Sequence, residues 1–206
     1  VNLGKLVMGE EAPLPCTPNG ILALLAEHGV ELAGRHLVIV GRGLTIGRPL
    51  ALLAALKREG ANAAVTVVHT GVEDLGSFTR TADVIVAAAG APGVITADMV
   101  RPGSAVVAAG VTMAGRKVVS DVADEVAEVA GWLSPRIGGV GPMTRAMWLV
   151  NTVEAGGTFE LKPGANHVML MMLSKPLQIG DAIPVTLKTS TGEVPVSFQA
   201  RAFDAA

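Results

Sequence analysis

The sequence predicts an α/β fold: a parallel sheet with flanking helices, followed by a small β-rich C-terminal segment. Three observations carry that expectation. Short runs such as "LVIV" (37–40), "VIVAAA" (84–89) and "AVVAA" (105–109) are apolar at every position, as in strands buried on both faces. Between them stand helix-like segments at the spacing of βαβ units. After Gly157 the pattern changes to alternating apolar residues and β-branched runs, with turn signals at Pro163–Gly164, Gly180–Asp181 and Thr191–Gly192.

The elements follow in order. "CTPNGILALLAEHG" (16–29) reads as a helix with Thr17 as N-cap, Pro18 in the first turn and Gly29 as the stop. Ile21, Leu24 and Leu25 form its apolar face. "RHLVIV" (35–40) is a strand. Gly41 to Gly47 leads into a helix over "RPLALLAALKREG" (48–60), with Pro49 tolerated near its start and Gly60 at its end. "NAAVTVVH" (62–69) is a second strand, and "VEDLGSFTRTA" a short helix or turn. "DVIVAAAG" (83–90) is a third strand, "ITADMVRPG" a helical turn, and "SAVVAAGV" (104–111) a fourth strand. "KVVSDVADEVAEVAG" holds a short strand and a helix, "GWLSP" is a further strand candidate, and "GPMTRAMWLVNTVEAG" is a closing helix. A parallel sheet takes ligands beyond the carboxyl ends of its strands. "VGRG", "VVHT", "AAAGAP" and "AAGV" all lie at such ends and converge on one crevice.

Composition narrows the function classes. Half of the 206 residues are hydrophobic, yet only 4 Phe and 2 Trp are aromatic, which suits a core of small side chains. Gly and Pro break the apolar runs well before the ~20 residues a membrane span needs. No secretory leader pattern is evident, so a cytoplasmic location is expected. The net charge is −2 with no basic block, so no nucleic-acid partner is expected. The single cysteine, Cys16, rules out an internal disulfide and a Cys-based zinc site, and is expected as a small buried apolar residue.

Gly41, Gly43 and Gly47 form G-x-G-x-x-x-G, one residue longer than the common dinucleotide spacing. The first glycine permits a sharp strand-to-helix turn. The second lets backbone approach a pyrophosphate, and the third lets the helix pack closely on the sheet. Amides at the helix N-terminus then face the anion. A tight turn without a ligand is the alternative. With the strand pattern this makes the sheet Rossmann-like. At the end of the second strand stand His69 and Thr70, where an acidic residue would bind a ribose hydroxyl. No carboxylate there repels a 2′-phosphate, and Arg42 in the turn matches phosphate geometry. That favours NADP, the alternative for Arg42 being a solvated surface arginine.

Longer motifs point further. "PLPCTPNGI", "VIVGRGLTIGRPLALL", "AAVTVVHT", "ADVIVAAAGAPGVITADMVRPGSAVV" and "GGVGPMTRAMWLVNTV" occur in collinear order over residues 1–155. This part resembles the nicotinamide-binding half of the bifunctional methylenetetrahydrofolate dehydrogenase/cyclohydrolase family. The resemblance implies an NAD(P)-binding Rossmann-like domain over 1–155, with NADP held by Gly41, Arg42, Gly43, Thr70 and Val111. It implies a homodimer formed through this domain. It also shows departures. Gly43 stands for the family's serine, Ala108-Ala109-Gly110 for its D-V-G, Ser120-Asp121-Val122 for its G-D-V, and Ile137 for a proline. Weaker cofactor affinity is expected. The family's catalytic half, with its lysine, does not match any part of this sequence. Lys5 lies in a loop-like stretch and does not take that role. The resemblance therefore implies cofactor binding without catalysis by this chain alone, and a folate substrate only where a catalytic half is supplied.

Residues 156–206 form the expected β-rich appendage. "LKPGANHVMLMMLSKPLQIGDAIPVTLKTSTGEVPVSF" resembles part of the periplasmic copper chaperones, which bind metal through His and Met. His167 and Met169 share one face of a strand at period two, and imidazole with thioether suits Cu(I). The alternative for both is an apolar strand core. The two resemblances imply different compartments, as a fusion of two partial domains would. A recombined chain with neither activity is the third reading.

Overall fold

The computed structural model describes residues 2–115 and 117–154, together with strands 182–189 and 192–199. The chain divides into two compact units, 1–155 and 156–206, each taken by itself below.

Unit 1 opens with a short helix α1 (Asn2–Met8), then α2 (Cys16–Glu27), β1 (His36–Val40), α3 (Gly47–Ala55), β2 (Ala64–Val68) and α4 (Gly76–Thr79). β3 (Val84–Ala87), a 3₁₀ turn (Ala97–Met99) and β4 (Ala105–Ala108) follow. A small hairpin of β5 (Val111–Ala114) and β6 (Lys117–Ser120), a second 3₁₀ turn (Asp124–Glu128), β7 (Trp132–Leu133) and α5 (Val140–Glu154) complete it. The main sheet has the order β2-β1-β3-β4-β7, and every pairing in it is parallel. The fold is the expected Rossmann-like parallel sheet with flanking helices.

The unbroken apolar runs are explained by two cores. Alternate strand residues point to opposite faces. Leu37, Ile39, Val84, Val86 and Val107 pack with Ile21, Leu24 and Leu25 of α2 and Leu50 and Leu53 of α3. Val38, Val40, Ile85, Ala87 and Val106 face the other way, against Ile95, Val100, Val122 and Val126. Each fully buried Leu, Ile or Val side chain contributes about 1.5–3 kcal/mol relative to exposure. Polar residues at the strand starts are paired. The His36 N–H donates to Asp83 Oδ2 (2.8 Å), and Arg101 forms an ion pair with Asp83.

Several local expectations change. Thr17 is not the N-cap of α2: the helix starts at Cys16 with Pro15 as cap, and the Thr17 hydroxyl instead accepts a hydrogen bond from Thr144 Oγ1 of α5 (3.0 Å). Gly29 does end α2, with φ +69°. Its N–H donates to Ala26 O and the Val30 N–H to Leu25 O, which satisfies two terminal carbonyls. α3 ends at Ala55, because Leu56 turns extended (ψ 138°), so 57–60 are not helical. Residues 104–111 are not one strand: β4 stops at Ala108, and Val111 opens the separate hairpin. Lys5 lies on α1 and not in a loop. Cys16 is half-buried, with Asn151 Nδ2 3.4 Å from its sulfur.

In unit 2, β8 (Ala182–Thr189) and β9 (Gly192–Gln199) form an antiparallel hairpin in full register from Ala182↔Gln199 to Thr189↔Gly192.

Candidate functional site

The sheet order makes β1 and β3 neighbours, although β2 comes between them in the chain. The connections out of β1, toward β2, and out of β3, toward β4, therefore leave in opposite directions and open a crevice at the strands' carboxyl ends. Backbone bonds draw these ends together. The Gly41 N–H donates to Val68 O (2.8 Å) and the Ala88 N–H to Val40 O (2.7 Å). Ala109 and Gly110 N–H both donate to Ala87 O (3.0 and 2.7 Å).

Two of the three glycines are fixed by this packing. A Cβ on Gly41 would overlap the carbonyl of Ala88, and one on Gly47 would overlap the carbonyl of Gly41. The turn is thus pressed between the end of β3 and the start of α3. Gly43 is different: nothing lies within 4 Å of where its Cβ would stand. No protein packing demands a glycine there, and bare backbone faces open space.

Around this turn lies a cleft of about 520 Å³, lined by Gly41, Arg42, Gly43, Arg48, His69, Thr70, Gly71, Ala88 and Ala89. Among the described residues, no carboxylate lines it. His69 is held at the end of β2 by its own loop, its Nδ1 accepting the Gly71 N–H (3.1 Å). The arginines and Thr70 are exposed. The cleft can therefore offer two guanidinium groups, a hydroxyl and an unobstructed stretch of backbone to an anion.

Gly41, Arg42, Gly43 and Thr70 thus stand together around one cleft. Val111 does not line this cleft. It sits just past the end of β4, 49 % exposed. Arg48 was not anticipated, because an arginine after the third glycine reads as an ordinary helix surface. The signal was its place at the second residue of α3. His167 and Met169 lie outside the described residues. Among the described residues, no group of three or more His, Cys, Asp or Glu could hold a metal ion. No described helix is long and apolar enough to cross a membrane.

Comparison with known proteins identifies the domain. Residues 15–159 match the family model for the tetrahydrofolate dehydrogenase/cyclohydrolase NAD(P)-binding domain. The bifunctional protein FolD of Syntrophotalea carbinolica is 56% identical over 155 residues, covering 75% of this chain and 53% of that protein. Among solved structures, the bifunctional FolD of Campylobacter jejuni is 41% identical with a TM-score of 0.69, covering 74% of this chain and 54% of that one. The Trypanosoma brucei methylenetetrahydrofolate dehydrogenase-cyclohydrolase, solved with NADP and an inhibitor, is 36% identical with a TM-score of 0.66, covering 74% and 54%. The chain spans about half the length of the relatives it matches. It belongs to the tetrahydrofolate dehydrogenase/cyclohydrolase family, of which it carries the NAD(P)-binding domain.

Proposed function

We propose that this chain binds NADP across the ends of β1, β2 and β3. The carrying observation is the lining of one cleft, where Arg42, Arg48 and Thr70 meet the glycine turn and, among the described residues, no carboxylate is present. The pyrophosphate would lie over Gly43, in the turn leading into α3, where bare backbone and the dipole of the following helix favour an anion. The 2′-phosphate then falls at the end of β2, with Arg42 and Thr70 as partners and Arg48 beside them. Val111 would take the nicotinamide side. When bound, the nicotinamide ring exchanges a hydride with substrate. This chain's residues hold and orient it. The Trypanosoma relative, solved with NADP, supports the choice of cofactor.

In this reading residues 1–155 are the cofactor domain and 156–206 a β-rich appendage. Folate turnover draws on residues outside this chain, and the protein is a cytoplasmic homodimer. A trough of Val7, Leu52, Val65 and Val67 beside edge strand β2, which Arg42 and Arg48 also line, supports self-association. Light scattering should then give twice the 20.9 kDa chain mass.

Calorimetric titration with NADP tests the main proposal. Binding is expected, with Arg42→Ala weakening NADP about tenfold or more, as loss of a charge-assisted bond does, and NAD far less. Absence of binding at millimolar NADP would leave the fold without this function. Robust turnover of methylenetetrahydrofolate by the purified 206-residue chain would overturn the assignment of folate chemistry to other residues.

A further inference from the structure

Asp121 is a fully buried carboxylate (0 % exposed) that the cofactor reading leaves unused. It follows β6, on the chain leaving the small hairpin. Its Oδ2 accepts the N–H groups of Ala89 and Gly90, each at 2.7 Å. Its Oδ1 is buried with no hydrogen-bond partner among the described residues. Gly110 lies directly against it, and a Cβ there would overlap the carboxylate. The Asp121 N–H donates to Gly110 O (3.0 Å), and Asp121 O accepts the Ile95 N–H (3.0 Å). One residue therefore ties the loop after β3 to the chain after β4.

A buried carboxylate with one bare oxygen is an expensive way to stabilise a core, since an apolar side chain would avoid the desolvation. What it supplies is a fixed position for two consecutive amides, through short charge-assisted bonds. Ala89 belongs both to that pair and to the wall of the cleft. The inference rests on the NADP reading. With the 2′-phosphate at β2 and the pyrophosphate over β1, the order β2-β1-β3-β4 leaves the ends of β3 and β4 for the nicotinamide half.

We propose that Asp121 is a positioning residue for the nicotinamide half of the site, stapling Ala89 and Gly90 so that this wall is in place before the cofactor arrives. Pre-organisation of this kind raises affinity by removing the ordering cost from binding. Asn at this position keeps an acceptor oxygen for the two amides, and Ala keeps none.

The test uses the full chain, with NADP and adenosine 2′,5′-bisphosphate as separate probes. In Asp121→Ala, NADP should bind about tenfold or more weakly, while the bisphosphate, which lacks the nicotinamide half, stays within twofold. Amide hydrogen exchange at Ala89 and Gly90 should accelerate while that of Val38 and Val86 holds. Asp121→Asn should retain most of the NADP affinity, and Gly110→Ala, which crowds the carboxylate from the other side, should resemble Asp121→Ala. Unchanged NADP binding in Asp121→Ala, or equal loss of both probes, overturns the proposal. Equal losses in the Asn and Ala variants overturn it too, since the charge and not the staple would then matter. If the wild-type chain binds neither probe, the NADP reading and this assignment of a nicotinamide wall both fail. If it binds the bisphosphate normally, failure of the variants' pattern counts against the staple alone.

Discussion

At Gly41 two constraints act on one residue: a φ of +127° and the carbonyl of Ala88 against its α-carbon. Gly41→Ala therefore meets conformational strain and overlap together. Each costs about 1–3 kcal/mol, so a loss on the order of 3 kcal/mol is expected in urea unfolding. Gly43, two residues on, has neither constraint, and Gly43→Ser should leave stability within about 0.5 kcal/mol. If the added hydroxyl donates to a bound phosphate, NADP affinity should rise by up to about tenfold, the value of one hydrogen bond near 1.4 kcal/mol. A serine variant that unfolds as readily as Gly41→Ala would contradict the open space at Gly43. The spacing assigns Gly41 a sharp turn, Gly43 the approach of a ligand and Gly47 the packing of the helix. The structure adds the neighbours of each: packing requires a glycine at Gly41 and Gly47 and leaves Gly43 open.

Among the elements, α2 and α5 form the closest helix pair, and the contact depends on one small residue. A Cβ on Gly20 would stand 3.0 Å from the Met143 carbonyl carbon and 3.1 Å from its Cβ. On either side, polar pairs cross the seam. Thr144 meets Thr17, Asn19 Nδ2 lies 3.1 Å from the Met147 sulfur, and Asn151 Nδ2 donates to Leu14 O (2.8 Å). Gly20→Val forces the helices apart and disturbs these pairs, so a loss of about 1–3 kcal/mol is expected. Unchanged thermal unfolding of the variant would mean that the helices do not meet at Gly20. In the sequence, Gly20 and Met143 belong to separate motifs, "PLPCTPNGI" and "GGVGPMTRAMWLVNTV". It could not show that Gly20 and Met143 touch, since they lie far apart in the chain. The same limit explains Thr17, whose hydroxyl serves a tertiary partner instead of a cap. It explains the break after Ala108 as well. "SAVVAAGV" looks like one strand, yet the Ala109 and Gly110 N–H groups both turn to Ala87 O, and Gly110 lies against the Asp121 carboxylate.

For the molecule as a whole, the parallel sheet and the cleft-lining glycines were legible because strands buried on both faces write their burial into every position. Arg48 and Asp121 were not, since a surface arginine and a buried carboxylate gain meaning only from what other segments bring to them. The amino ends of the central strands, away from the cleft, carry a pH dependence. Asp83 precedes β3, and its carboxyl is lowered from its ordinary value, first by the His36 N–H and then by Arg101 and Arg35, with desolvation opposing. A carboxyl lowered in the folded state adds stability above its unfolded value, about pH 3.9 for Asp. That stability is lost as pH falls through the lower folded value. Asp83→Asn keeps the shape but removes the charge, and it weakens the join between β1 and β3 at neutral pH. Wild type should therefore melt higher than Asp83→Asn at pH 7, with the difference shrinking as pH falls below the ordinary Asp value of about 3.9. Melting curves at a series of pH values read this directly, and a difference that stays constant across the series would show that the Asp83 charge contributes nothing to holding these strands together.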